Sequence, residues 1–363
     1  MLGNFTESLK GTIGGVALLI VSFPVLFKNE GCAVDIAKGL EEGAGIVVSI
    51  DAKQDSNQYQ GKLIHTIGEA KAGSPTVDSD FSISVPSLGL TREVEMYQWD
   101  ENVSEDKDKK KTYRYEKKWS STEIDSSRFD EANTHNNPPF TYTSKTFSPS
   151  EVSIGNVKFS DDLINSIPRT EDLQYDANQT NRMSGRAKLA DGRIYLGKNP
   201  ASPEIGDVRI KHKIAPEGIA SIIGQLQSGI VGPYKTKRDT TILMFDYGSK
   251  DAASMFQEAQ DANVTRTWMV RAAGLFLMFL GFRLLFGPIA AAGGWIPILD
   301  GILEMGVSIV SGILAFSLSF MTISIAWIFY RPLLGFALLA LGVGAFIYLY
   351  SQKGKFEKTN PQN

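Results

Sequence analysis

Three histidines, one cysteine and 40 acidic residues bound the chemistry open to this 363-residue chain. His65, His135 and His212 are far apart, and none has a carboxylate at metal-ligand spacing. His65 and His212 sit in alternating, strand-like runs, where hydrogen bonds hold an imidazole in place more often than a metal does. The acidic pairs Asp161-Asp162 and Glu171-Asp172 read as the first turn of a helix and as a loop. Cys32 stands alone, which excludes an intramolecular disulfide and a cysteine zinc cluster. It reads as a juxtamembrane thiol, with an intermolecular disulfide or lipidation as the alternatives. No G-x-x-x-x-G-K-[ST] loop, G-x-S-x-G elbow or H-E-x-x-H pair occurs. No cofactor or metal is expected. A net charge of -3, from 37 basic and 40 acidic residues, gives no electrostatic reason to expect nucleic acid as a partner.

Charges placed in apolar surroundings have more physical leverage, because an ionised group at bilayer depth costs at least a few kcal/mol. Residues 268–350 contain five: Arg271, Arg283, Asp300, Glu304 and Arg331. Arg271 and Arg283 lie near opposite ends of one apolar run and can snorkel to the interface. Arg283 is also spaced to pair with Asp300 or Glu304, which would lock two helices together at interface level; an ion or proton path is the alternative. Trp268, Trp295, Trp327 and Tyr330 fall where an aromatic belt would anchor the helices. Small residues at four-residue spacing, Gly11 and Gly15, Ser308 and Gly312, Ala340 and Gly344, permit close helix contacts within a bundle or an oligomer.

The elements that must position these residues are apolar helices. A hydrocarbon core of about 30 Å needs roughly 17–25 apolar residues in helix. Gly11–Phe27, Trp268–Phe286, Met305–Phe329 and Leu333–Tyr350 meet that requirement, so four transmembrane helices are expected. Residues 1–27 form an arm and the first span. A cleaved signal peptide is the alternative there, but the Lys28-Asn29-Glu30 flank lacks a small-x-small cleavage site, which favours an uncleaved anchor. Residues 268–350 form a three-helix bundle with an interrupted interfacial segment at 287–304, and residues 351–363 a basic tail. The positive-inside rule puts both termini in the cytoplasm and the intervening domain outside.

That domain, residues 28–267, is expected to be mainly β, so the fold class is a membrane protein of α+β type. LTREVEMYQW (90–99) and TYRYEKKW (112–119) alternate as half-buried strands, with the charged run 100–111 as a solvated hairpin tip. Further strands are expected at 61–70, 81–90, 206–215 and 240–248. Residues 221–234 read as two strands turning at Ser228-Gly229. A capped helix is expected at Ser160–Ser166, another helix at Ala252–Ala262, and a short surface helix with Val34, Ile36, Ala37 and Leu40 on one face. Stretches near 121–150 and 169–200 read as loops. Asn102, Asn178 and Asn263 head glycosylation sequons that matter only in a secretory compartment.

Several words of the sequence resemble one family, LUMA or transmembrane protein 43. They are GKLIHTIGEA (61–70), REVEMYQW (92–99), PEIGDVRI (203–210), KTKRDTTILM (235–244), TWMVRAAGLFLMFLG (267–281) and WIFYRPL (327–333). The resemblance covers nearly the whole chain and carries no catalytic signature. It implies one N-terminal span, a large extracytoplasmic or lumenal domain, three C-terminal spans and a membrane-organising role. Animal members are implied to reside in the endoplasmic reticulum and inner nuclear membrane, to self-associate and to bind nuclear-envelope partners; a bacterial member would lie in the cytoplasmic membrane. The expected function is therefore a non-enzymatic, self-associating scaffold whose partners are the bilayer, further copies of itself and other membrane proteins. A channel lined by Ser308, Ser311, Ser317, Ser319, Thr322 and Ser324, and a membrane-bound lipid or envelope enzyme, are the rival readings.

Overall fold

The computed structural model describes residues 2–54, 57–106, 110–175, 187–288, 297–337 and 340. Helix α1 (Leu2–Ile46) does not end with its apolar run at Phe27. The continuation, residues 28–46, holds three Ala and three Glu but also four Gly, so contacts with Gln260 and Asn263 support it more than propensity does, and the expected separate surface helix is the last part of α1. After it come β1 (Val48–Ser49), β2 (Leu63–Ala72), β3 (Thr76–Asp78), β4 (Ile83–Val85), β5 (Gly89–Glu105) and β6 (Lys111–Ser120). Then follow β7 (Lys145–Phe147), β8 (Val152–Ile154), β9 (Val157–Phe159), α2 (Asp161–Ser166), β10 (Glu171–Asp172), β11 (Ala187–Ala190) and β12 (Arg193–Leu196). The remaining elements are β13 (Val208–Ala215), β14 (Gly218–Gln227), β15 (Ile230–Gly232), β16 (Tyr234–Lys235), β17 (Thr241–Ile242), β18 (Met244–Tyr247), α3 (Ala252–Leu285) and α4 (Pro297–Tyr330).

Contacts divide the chain into two units. One comprises Met1–Gly45, Lys235–Thr240 and Phe256–Asn363; the other comprises Ile46–Tyr234 and Thr241–Met255. In the β unit, one sheet runs β2–β8–β9–β15–β14 and returns to β2, so its pairing closes on itself. Ile64, Ala70, Ile154, Val157, Ile222 and Val231 fill its interior, with Leu163 and Ile164 of α2 packed into the same core. Ser160 caps α2 by accepting the Leu163 N–H at 3.3 Å, as its sequence position predicts. The β14–β15 hairpin turns at Ser228 and Gly229, both left-handed at φ 52° and 79°, which is the twist a two-residue hairpin turn requires.

The second sheet has the order β11–β12–β13–β5–β6, with β7 also on β5 and β10 also on β13. Leu90, Val94, Met96, Ile194, Val208 and Ile210 form its core. Pairing of β5 with β6 continues out to Glu105↔Lys111, so the charged run is mostly strand and only its end is the tip. The expected strand 81–90 is broken instead: Asp78 caps a single 3-10 turn, and Ser82 is left-handed at φ 53°. The expected loop at 169–200 carries β10, β11 and β12, whose two- to four-residue lengths give too little alternation to read.

In the helical unit, three helices among the described residues are long and apolar enough to cross a membrane: Gly11–Ile46, Ala252–Leu285 and Met305–Tyr330. The expected helix at 252–262 is the first part of α3, without a break. The stretch 297–304, expected to be part of an interrupted interfacial segment, is the start of α4. Residues 289–296, with Trp295, lie outside the described residues. Of the expected fourth span, residues 333–337 and 340 are helical; Gly344, the remainder of that span and the tail 351–363 lie outside the described residues.

Candidate functional site: a buried charge cluster joining three helices

Helices α1 and α3 run antiparallel along a seam that glycine makes possible. A Cβ on Gly15 would lie 2.6 Å from the Gly281 carbonyl oxygen, so both backbones need a missing side chain there. Gly274 gives the same room to Leu26. Leu26 and Met278 are fully buried beside Ala315 of α4, which makes this a three-helix core.

Next to that core sits a carboxylate with no solvent exposure, Glu30. Arg271 grips it with both edges of the fork, Nε to Oε1 at 2.7 Å and Nη2 to Oε2 at 2.8 Å. Trp327 donates its indole Nε1–H to Oε2 at 2.8 Å. Each helix therefore supplies one member: an anion from α1, a cation from α3 and a neutral donor from α4. Bidentate geometry and a third donor are what a buried ion pair needs to offset desolvation. The Arg271 guanidinium also lies 4.6 Å from the Trp268 ring and 5.7 Å from the Trp327 ring, so aromatic faces cover the cation. Phe27 packs on Phe329 and Tyr330 at centroid distances of 5.7 and 5.4 Å. Gly31 leaves space for the Tyr330 ring.

A polar ladder continues from the ion pair along α1 and α3. Asn29 Nδ2 donates to the Thr267 carbonyl at 3.2 Å, Asn263 Nδ2 to Ala33 O at 2.9 Å, and Gln260 Nε2 to Ala37 O at 2.8 Å. Asn263 is 9% exposed, so this sequon asparagine is committed to helix packing. Residues 260, 263, 267 and 271 form one helical stripe, a 3.6-residue periodicity that is visible in the sequence once α3 is read as continuous. Within the same unit, Thr240 Oγ1 donates to Asp35 O at 3.0 Å, and Gly39 leaves room for the Thr240 side chain.

The expected site residues fall into separate places. Arg271, Trp268, Trp327 and Tyr330 come together around Glu30, which sequence reasoning read only as the charged flank of a span ending at Phe27. Arg271 does not snorkel; it is 13% exposed and paired. Arg283 is exposed in the last turn of α3, and Arg331 is exposed just after α4. Asp300 and Glu304 lie on the first turns of α4, and their side chains lie outside the described residues. Gly15 is at the α1–α3 contact, whereas the nearest neighbour to a Cβ on Gly11 would be Leu284 at 4.0 Å. Gly312 opens on free space, Ser308 is half-buried, and Ala340 is exposed.

The β unit has a buried charge network of its own. Asp78, with no exposure, accepts from Arg92 Nη1 at 2.9 Å and lies 2.9 Å from His212 Nε2. Tyr175 Oη is 2.9 Å from His212 Nδ1 and accepts the His212 backbone N–H at 2.9 Å. Burial alone would raise the Asp78 carboxyl. The His212 hydrogen bond and the Arg92 charge outweigh burial and hold the carboxyl below the usual carboxylate range. His65 is likewise held, by Ser49 Oγ at 3.0 Å and Lys250 O at 2.9 Å. Among the described residues no group of three His, Cys, Asp or Glu side chains is arranged to hold a metal.

The profile of the family described as Transmembrane protein 43 matches residues 96–332. The chain is 30% identical to transmembrane protein 43 of Rattus norvegicus over 92% of this chain and 87% of that protein. The chain belongs to the transmembrane protein 43 family. It is also 29% identical to the Homo sapiens protein, over 94% of this chain and 89% of that one. Identity to the Drosophila melanogaster homolog is 28%, over 96% and 97%. No solved structure matches. Family membership and three membrane-length helices make the chain an integral membrane protein. The family is described by its membrane character and not by a reaction. Its matched region contains Arg271 and Trp327, while Glu30 lies before it.

Proposed function

We propose that this chain is a non-enzymatic, multi-pass membrane scaffold that self-associates in the bilayer. The observation that carries this reading is the division of polar and apolar groups in the helical unit. Glu30, Arg271 and Trp327 satisfy one another inside it. Of the six hydroxyls that could line a pore, Ser311, Ser319 and Thr322 are buried within the same chain, Ser308 and Ser324 are half-buried, and Ser317 is exposed. Outward-facing Ile309, Ile313, Phe316, Phe320 and Phe329 are apolar. Gly312, where a Cβ would meet nothing within 4 Å, opens on an apolar groove of about 420 Å³ lined also by Ala272, Phe276 and Phe279. A small residue in an apolar groove is where a second helix can approach closely. This distribution favours helix association over a hydrated channel.

The proposed topology adds a fourth span at Leu333–Tyr350 and leaves both termini in the cytoplasm. The membrane is the bacterial cytoplasmic membrane or, in a eukaryote, the endoplasmic reticulum and inner nuclear membrane. Native mass spectrometry of the full chain released from nanodiscs tests self-association. A dimer or larger species is expected, and Gly312→Leu should shift it towards monomer. A wild-type chain that is monomeric at every concentration overturns the proposal.

A further inference from the structure

Along β13 the residues facing away from the core are all cationic: Arg209, Lys211 and Lys213, alternating with buried Val208, Ile210 and His212. Arg193 of β12 reaches the same face, where it meets Arg209 at one carboxylate, Glu95. These four cations line a concave site of about 480 Å³ together with Glu93, Glu95 and the serines Ser121 and Ser144. Charge in its wall does not balance. Glu95 Oε2 takes Arg209 Nε at 2.6 Å and Arg193 Nη1 at 3.4 Å, so one carboxylate serves two guanidinium groups. Glu93 takes Lys213 at 2.7 Å, and its hydrogen bond pushes the Lys213 ammonium above the usual lysine range, so that group is charged at neutral pH. Lys211 turns to Asp172, outside the lining, at 2.7 Å.

Like charges gathered on neighbouring strands repel, so this face is costly unless something offsets it. The cations are also partly shielded, with Arg209 27% and Lys211 26% exposed, which strengthens their field relative to open surface. Arg209 is held in place by stacking 4.5 Å from the Trp119 ring. We propose that this face of the second sheet is a binding site for a phosphate-class oxyanion. Four cations against Glu93, Glu95 and Asp172 leave an excess of one positive charge, which a singly ionised tetrahedral oxyanion matches; it accepts several N–H and O–H donors at once, with arginine forks as its preferred partners. The same chemistry is offered by a soluble phosphomonoester and by a phospholipid headgroup.

The test uses the full chain in nanodiscs of neutral lipid. Binding of inorganic phosphate, glycerol 3-phosphate and water-soluble dioctanoyl phosphatidic acid is measured by calorimetry against potassium chloride at equal ionic strength. Saturable binding of at least one probe is expected; preference for the soluble esters or for the lipid identifies the source. Arg209→Gln should weaken it about tenfold, the loss of a charge-assisted hydrogen bond. Glu95→Gln should tighten it several-fold by releasing two guanidinium groups. Glu204→Gln, the same charge change beside Lys198, should leave it unchanged. Absence of saturable binding by all three probes overturns the proposal. So does an equal gain from Glu95→Gln and Glu204→Gln, since that would report net charge and no site.

Discussion

Each unit of the molecule buries one carboxylate against one arginine, and the two solutions differ in how many alternatives they keep. In the helical unit Glu30 is the carboxylate that faces Arg271, and the third partner, Trp327, carries no charge. In the β unit Arg92 contacts Asp78 and also Asp80, which is half-exposed at 52%, while its Nε donates to Thr143 O. His212 and Tyr175 extend that network further. The pairs also differ in reach. Glu30 joins residues 241 and 297 positions away, whereas Asp78 and Arg92 are 14 apart. The helical cluster is thus a single clamp across three distant segments. The β network is a redundant mesh with a local Asp78–Arg92 pair and distant members in Thr143, Tyr175 and His212, and it fixes β3 onto β5 and β13. Removing one member should hurt the clamp more than the mesh.

Glu30→Ala is expected to have the largest effect, about 3–5 kcal/mol, because Arg271 is left charged in a site with little water to take over. Thermal unfolding of the full chain in nanodiscs measures it. Glu30→Met combined with Arg271→Met should recover much of the loss, since apolar side chains of similar volume often replace a buried ion pair without penalty. A double variant as unstable as Glu30→Ala would show that the clamp is not replaceable by packing.

Asp78→Asn should cost less, near the low end of the same range at about 3 kcal/mol, because Asp80 stays to face Arg92. Chemical denaturation followed by the tryptophans of the β unit reports it. If this loss equals or exceeds that of Glu30→Ala, the difference in redundancy between the two clusters is not real. The neutral partners refine the comparison. Trp327→Phe removes a donor to a buried carboxylate, for about 2 kcal/mol. Tyr175→Phe removes the acceptor of the buried His212 N–H, for about 1 kcal/mol. The same two assays rank them, and the reverse order would place more of the stability in the mesh.

How far these clusters could be read from sequence depended on the range of their contacts. The apolar runs of α3 and α4, the alternation of β5 and β13, the Ser160 cap and the Ser228-Gly229 turn are local patterns, and local physics decides them. Trp268 and Trp327 stand out because aromatic side chains gather at the ends of membrane-spanning runs, and Arg271 because a charge inside such a run is rare. Glu30 did not, since a charge three residues past Phe27 looks like the end of a span; only the continuation of α1 makes it interior. Asn263 matched a sequon, and the stripe it shares with Gln260, Thr267 and Arg271 emerges when α3 is taken as one helix. Asp78 lies between the expected strands 61–70 and 81–90, in a stretch without a periodicity that marks it. Its meaning comes from His212, 134 residues away, and no local pattern carries that pairing.

Acid titration is the mildest way to separate the clusters. The Asp78 carboxyl is held below the usual carboxylate range in the folded β unit, where burial is outweighed by His212 and Arg92. Unfolded, it titrates near its ordinary value of about 4. A depressed carboxylate contributes stability that is fully present above the unfolded value and is lost as pH falls through the folded one. The β unit should therefore lose stability progressively below about pH 4, and above that pH its stability should be insensitive to this group. Asp125, lowered mainly by Ser127, and Asp251, lowered by Ser254, titrate in the same direction, so the wild-type slope is a sum. Asp78→Asn removes one contribution and should make the acid slope of denaturation shallower while lowering stability at neutral pH. A slope unchanged by Asp78→Asn would mean that the acid sensitivity lies elsewhere and that the mesh holds Asp78 by packing more than by charge.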